Sequence, residues 1–226
     1  DNRFSLQLSG LVQARYTYSS TGAGGQLNQT TDGGGNPQTL PNSQYGFDMP
    51  HTQLVFKGHV FEPGIRYFIR SEFSPQQQFR AGSLRNLSGS TAGSLNLLDA
   101  YMAFDLDNDW TIKAGQFKLP FSRERLVNVQ NLVSATRSTV DELLSVGRSQ
   151  GIQVSTRGND LYWAAAISNG GSDSVLAGIS GNSGVFPVGT EPMNNTYWNG
   201  NNTFSITSRV EYKLAGAWAE FNEMTS

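Results

Sequence analysis

Phe4-Ser-Leu-Gln-Leu-Ser-Gly-Leu-Val-Gln-Ala-Arg-Tyr-Thr-Tyr18 is the stretch that decides the fold. Its even positions are Phe4, Leu6, Leu8, Gly10, Val12, Ala14, Tyr16 and Tyr18. Its odd positions are Ser5, Gln7, Ser9, Leu11, Gln13, Arg15 and Thr17. Successive side chains of a strand point to opposite faces, so a strand built from this stretch has one apolar face and one almost wholly polar face. The run is longer than the ~5–6 residues of a typical globular strand and covers the ~9–11 residues of a tilted membrane strand.

The pattern recurs along the chain. Thr52, Leu54, Phe56, Gly58 and Val60 alternate with Gln53, Val55, Lys57 and His59, and Glu62-Pro63-Gly64 predicts a tight turn. Further strands are expected over 65–73, 95–104, 110–117, 150–157, 161–168 and 204–214, with the start of a ninth over 217–221. The connections after the second, fourth, sixth and eighth strands are short. Those after the first, third, fifth and seventh are long, at about residues 19–48, 74–94, 118–149 and 169–203. Short turns at one end and long loops at the other are the rhythm of a transmembrane antiparallel β-barrel. Aromatic residues near the expected strand ends suit an interfacial girdle: Tyr16, Tyr18, Phe61, Phe73, Phe104, Trp110, Tyr162, Trp163 and Phe204.

Composition agrees with this all-β reading. The 226 residues carry a net charge of -2 and only 15% charged residues, against roughly 25% in soluble domains. Such low charge and modest hydrophobicity would suggest disorder, but 13 Phe, 8 Tyr and 4 Trp argue against it. No cysteine is present, which excludes disulfides and thiolate chemistry. No apolar run approaches the ~20 residues of a membrane helix. Residue 1 reads as a mature or trimmed N-terminus, because a strand begins almost at once. Residues 1–226 are read as one domain. Eight strands and the start of a ninth do not close an even-stranded barrel, so the domain is expected to be part of a larger one.

The connection over 118–149 differs from the Gly- and Ser-rich ones. It carries its own apolar residues, which must pack on something, and the barrel interior is the available place. Within it, Ser138-Thr139-Val140-Asp141-Glu142 predicts a helix start, capped by Ser138 or Thr139.

Two stretches resemble a known family. Phe4 to Arg15, and more specifically Ala114-Gly-Gln-Phe-Lys-Leu-Pro-Phe-Ser-Arg-Glu124 followed by a loop ending Gly147-Arg-Ser-Gln-Gly-Ile152, resemble the phosphate-selective porins O and P. The resemblance implies sixteen strands, a homotrimer in the bacterial outer membrane, and a third loop folded into the pore as a constriction.

Charge placement leads in the same direction. On the polar face lie Arg15, Lys57, Arg66, Arg70, Lys113, Arg157, Arg209 and Lys213, against Glu72, Asp99 and Glu211. The loop adds Lys118, Arg123, Arg125 and Arg137 against Glu124, Asp141 and Glu142. Cations on a low-dielectric wall raise the local anion concentration in a water-filled channel. The expected partners are membrane lipid and small anionic solutes. The alternative is a structural or adhesive barrel displaying long loops. No cofactor is expected: His51 and His59 have no metal-ligand spacing, and Asp105, Asp107 and Asp109 lack the rest of a calcium loop. Nor does any serine sit in a catalytic elbow with a histidine to serve it. A basic outer stripe for nucleic acid is absent.

Overall fold

The computed structural model describes residues 3–20, 29–31, 37–39, 43–73, 79–80, 95–106, 109–134, 137–138, 140–141, 146–170, 185–186 and 204–224. Eight strands form one antiparallel sheet: β1 (Gln7–Ser20), β2 (Ser43–Val60), β3 (Glu62–Glu72), β4 (Asn96–Asp105), β5 (Trp110–Lys118), β6 (Arg148–Arg157), β7 (Leu161–Ser168) and β8 (Ser205–Tyr212). Each pairs with its sequence neighbours, in the order β1 to β8 without crossovers. Two small ladders lie in the long connections: Gln29–Thr31 on Pro37–Thr39, and Phe79–Arg80 on Val185–Phe186.

The alternation sets which side each residue takes. Leu8, Val12 and Ile206 are 60%, 69% and 79% exposed. Ile69, Met102, Trp110, Ile152, Leu161, Ile167 and Val210 are exposed with them. The other side buries Gln53, Arg70, Glu72, Asp99, Gln153, Ser168 and Thr207, with the small residues Ala103, Ala164 and Ala166 between them. Register ties these into continuous rows, such as Arg70 opposite Asp99 and Ala166 opposite Gln153 and Thr207. A water-soluble fold would bury the leucines and isoleucines and expose the charges; this one does the reverse.

Four local expectations differ. β2 begins at Ser43, well before Thr52, because β1 and β2 continue as a ribbon whose partners run to Ser20 and Ser43. The second turn falls at Phe61, not over 62–64: Phe61 takes φ 65, and Pro63 already lies in β3. Tyr162 is not a girdle residue; it pairs with Arg157 and Glu211 on the polar face. The expected ninth strand over 217–221 is instead a 3-10 helix, Trp218–Asn222. There the Trp218 indole N–H donates to the carbonyls of Gly158 and Asn159 at 3.1 and 3.0 Å, which ties the segment to that turn.

Two glycines let the centre of the sheet close up. Gly115 has φ 130, and a Cβ there would come within 2.3 Å of the Ala100 carbonyl. Its partner Gly151 would meet the Ile167 carbonyl at 2.2 Å. Replacing Gly115 by Ala is expected to destabilise the sheet by at least about 1–3 kcal/mol through the forced backbone alone. A urea-unfolding midpoint lower than that of the unmodified protein, in the same detergent, checks this.

Candidate functional site

The polar face carries the 118–149 loop, and the loop is built to sit there. Its base is closed by the Leu119 N–H donating to the Gly147 carbonyl at 3.0 Å. Leu119 and Val146 pack on Phe117, Ala166 and Tyr101 of the wall, the one cluster of buried apolar side chains among the described residues. From that base the chain enters α1 (Arg123–Leu126), capped by Ser122, whose hydroxyl accepts from the Arg125 N–H. A 3-10 turn, Val129–Asn131, follows.

Hydrogen bonds then knit the loop to itself. Arg125, 1% exposed, pairs with Asp141 at 3.0 Å and also donates to the Asp141 carbonyl. Ser122 donates to the same Asp141 carboxylate. Ser138 donates through its hydroxyl and its backbone N–H to Glu124 at 2.6 and 2.5 Å. The Ser138 hydroxyl accepts from the Asp141 N–H at 3.1 Å, the N-cap expected for it; 142–145 lie outside the described residues. Arg137 donates to the carbonyls of Glu124 and Val127.

Charged groups fasten the loop to the wall. Asp99, 4% exposed, accepts two hydrogen bonds from Arg148, Nε at 2.8 Å and Nη2 at 3.2 Å. Such a fork-to-fork pair is the strongest geometry open to these groups. Arg70 stands 3.7 Å from the same carboxylate and donates to the side chain of Asn128 in the loop at 2.9 Å. Lys118 and Arg137 both donate to the Val127 carbonyl, at 3.3 and 3.1 Å. Wall and loop thus share one network in which Arg148, Arg70 and Lys118 surround Asp99, and Arg137 joins it through the Val127 carbonyl that Lys118 also bonds.

The other expected lining residues spread along the wall. Arg15 is half-buried, and Lys57 and Arg66 are exposed; Arg66 pairs with Asp105. Lys113 lies over the rings of Tyr101 and Phe117 at 4.8 and 5.3 Å. Arg157 lies over Tyr162 and Trp218, Arg209 pairs with Glu211, and Lys213 stands 3.5 Å from Asp160. Of the loop residues, Arg123 is exposed over Phe221 at 5.0 Å, and Glu142 lies outside the described residues. His51 is buried against Glu72 at 3.2 Å, with Gln53 donating to the same carboxylate. Among the described residues no cluster of side chains could hold a metal.

Arg148, 0% exposed, escaped the sequence reading. Alternation counted back from Ile152 puts it on the apolar face, and its carboxylate partner, Asp99, comes from β4, two strands away. Helix α1 escaped as well, although Ser122 followed by Glu124 in the first turn is a capping signal.

A family model for phosphate-selective porin O and P matches residues 23–207. No curated protein matches the chain.

Two tests follow from the network. Asp99→Ala removes the carboxylate that accepts two hydrogen bonds from the buried Arg148 and is expected to cost about 3–5 kcal/mol of stability, read from the urea midpoint. Glu124 gives a pH dependence. Burial would raise its carboxyl, but the two Ser138 hydrogen bonds and the charges of Arg137 and Arg125 outweigh this and hold it below the ordinary value. A carboxylate lowered on folding stabilises fully above its ordinary range and loses that contribution as the pH falls through the lowered value. Hydrogen-exchange protection of the Ser138 amide is therefore expected at pH 7 and lost as the pH falls below the ordinary carboxylate range, through the lowered value. In Glu124→Gln it should be weak throughout.

Proposed function

Because the chain belongs to the phosphate-selective porin O and P family, we propose that it forms a water-filled channel in the bacterial outer membrane through which small anions, phosphate among them, diffuse passively. It acts as a channel rather than an enzyme. The observation that carries the proposal is the inverted burial: leucines, isoleucines and valines on the exposed side, arginines and carboxylates on the covered one. An apolar outer face meets lipid and a polar inner face encloses water.

In this reading residues 1–226 form one part of a larger barrel, sixteen-stranded and trimeric as the sequence resemblance implies. Arg15, Lys57, Arg66, Arg70, Lys113, Arg157, Arg209 and Lys213 line the lumen, and the 118–149 loop narrows it. Two groups stand out among the cations of the wall and the loop. Arg125, Arg137, Lys118 and Arg70 work chiefly as fasteners, since each is buried and held by carbonyls or carboxylates. Lys57, Arg66 and Arg123 are exposed and bias the passing solute. Fixed cations in a lumen with low-dielectric walls favour anions without binding them tightly enough to stop flow.

Planar-bilayer recordings of the full-length protein in a salt gradient test this. The reversal potential is expected to report anion preference, and Lys57→Glu combined with Arg66→Glu is expected to shift it towards cations. Cation preference in the unmodified channel would overturn the anion reading, and a folded protein without conductance would overturn the channel.

A further inference from the structure

Lys57, Phe68, Tyr101 and Gly115 stand at one level across the polar face. Phe68 faces Lys57 of β2 on one side and Tyr101 of β4 on the other, and Tyr101 faces Gly115 of β5. The level lies two residues from Arg70 and Asp99, about 7 Å from them towards the short turns. These four strands are interior to the sheet, with β1 and β6 flanking them. The Phe68 and Tyr101 rings are stacked, with centroids 5.3 Å apart and planes 14° from parallel. At that separation the rings overlap, so the pair stands up from the wall and turns ring edges towards the lumen. Both rings are half-buried and keep part of their surface open.

Cations sit over these rings. The Arg70 guanidinium lies 5.1 Å from the Phe68 centroid. The Lys113 ammonium lies 4.8 Å from the Tyr101 centroid and 5.3 Å from that of Phe117. Phe117 is further along β5 than Gly115, so the lysine stretches over Gly115, whose missing side chain leaves the path open. Its charge thus arrives level with Tyr101. A ring carries negative charge on its face and positive charge at its edge. Cations over the faces therefore leave edges that favour negative or π-rich groups. Charge pairing marks the same place. Arg66, Arg70, Arg148, Arg209 and Lys213 each pair with a carboxylate. Among the described residues Lys57 and Lys113 pair with none.

We propose that Phe68 and Tyr101, with Lys57 and Lys113 beside them, are a binding step for aromatic carboxylates on the permeation path. This rests on the porin reading and names a solute class within it. The ring of the solute lies with its face on the Phe68 and Tyr101 edges, an edge-to-face contact. Its carboxylate meets the Lys113 ammonium, while Lys57, on the far side of the pair, draws the anion towards the step. Ring faces, the surface a neutral sugar would use, are taken up by the stack and the cations. An inorganic anion or a small aliphatic carboxylate uses the lysines and gains nothing from the rings.

Benzoate and acetate carry the same charge and differ by the ring. Each is titrated against the single-channel chloride current of the full-length protein in planar bilayers. Benzoate is expected to half-block at a concentration about two- to tenfold below that of acetate, the worth of an edge-to-face contact. Cyclohexanecarboxylate, of like bulk but without a π face, should fall between. Phe68→Leu with Tyr101→Leu keeps apolar bulk and should bring benzoate to the level of cyclohexanecarboxylate, with acetate unchanged. Lys113→Gln should weaken the block by every acid. Folding of the variants is read from heat-modifiable electrophoretic mobility, and the three-acid comparison on the unmodified channel needs no variant. Benzoate blocking no better than cyclohexanecarboxylate, or folded leucine or Lys113→Gln variants blocked as before, would overturn the binding step. A folded wild type that does not conduct overturns the porin reading instead, and the step with it.

Discussion

A strand has a side-chain period of two, and the rest of this molecule depends on it. Between paired strands the backbone N–H and C=O groups are taken up by the ladder, so the side chains alone distinguish the two faces. Once Leu8, Ile152, Ile206 and their like occupy one face, charged and polar groups have only the other. On that face, desolvated by the loop, they must find partners among themselves. The buried network of Asp99, Arg148 and Arg70 is the consequence of an apolar exterior.

The network makes the loop part of the wall. Leu119 and Val146 supply an apolar foot, but the greater share of the fastening is polar: Asn128 to Arg70, the Val127 carbonyl to Lys118 and Arg137, Asp141 to Arg125. Buried charges do not raise stability much over a well-packed apolar alternative, but they punish any arrangement that leaves one unpaired. Charges that serve as fasteners in this way are not available to a passing solute, which separates the cations that shape the space from those that bias what enters it.

Much of this was legible in the sequence, for reasons that can be named. The strands from Phe4 onward announce themselves because period-two alternation is a local signal, and the short turns because Gly158-Asn159-Asp160 and its counterparts favour tight reversals. The loop stands out because Leu119, Pro120 and Phe121 have no reason to be apolar in a solvated connection. What stayed hidden depends on partners distant in the chain. Arg148 sits where strict alternation predicts an apolar residue, and its role exists only because Asp99 lies two strands away. Trp218 followed an alternating pattern that promised a strand, but the carbonyls it bonds belong to a turn sixty residues back. Phe61 gave no sign of a left-handed backbone, which is uncommon for a bulky residue.

The pair between Asp99 and Arg148 joins β4 to β6 and passes over β5, which lies between them in the sheet. Strands sit about 4.8 Å apart, so the pair reaches across two spacings and works as a diagonal brace. Ladder hydrogen bonds resist separation of neighbouring strands well and sliding along one another less well, because a shifted register finds new partners. A brace across three strands resists that sliding. The cross-section of a closed sheet follows from strand number and shear, so a bond that locks the shear also locks the bore, and it does so at the level where the loop leaves the wall.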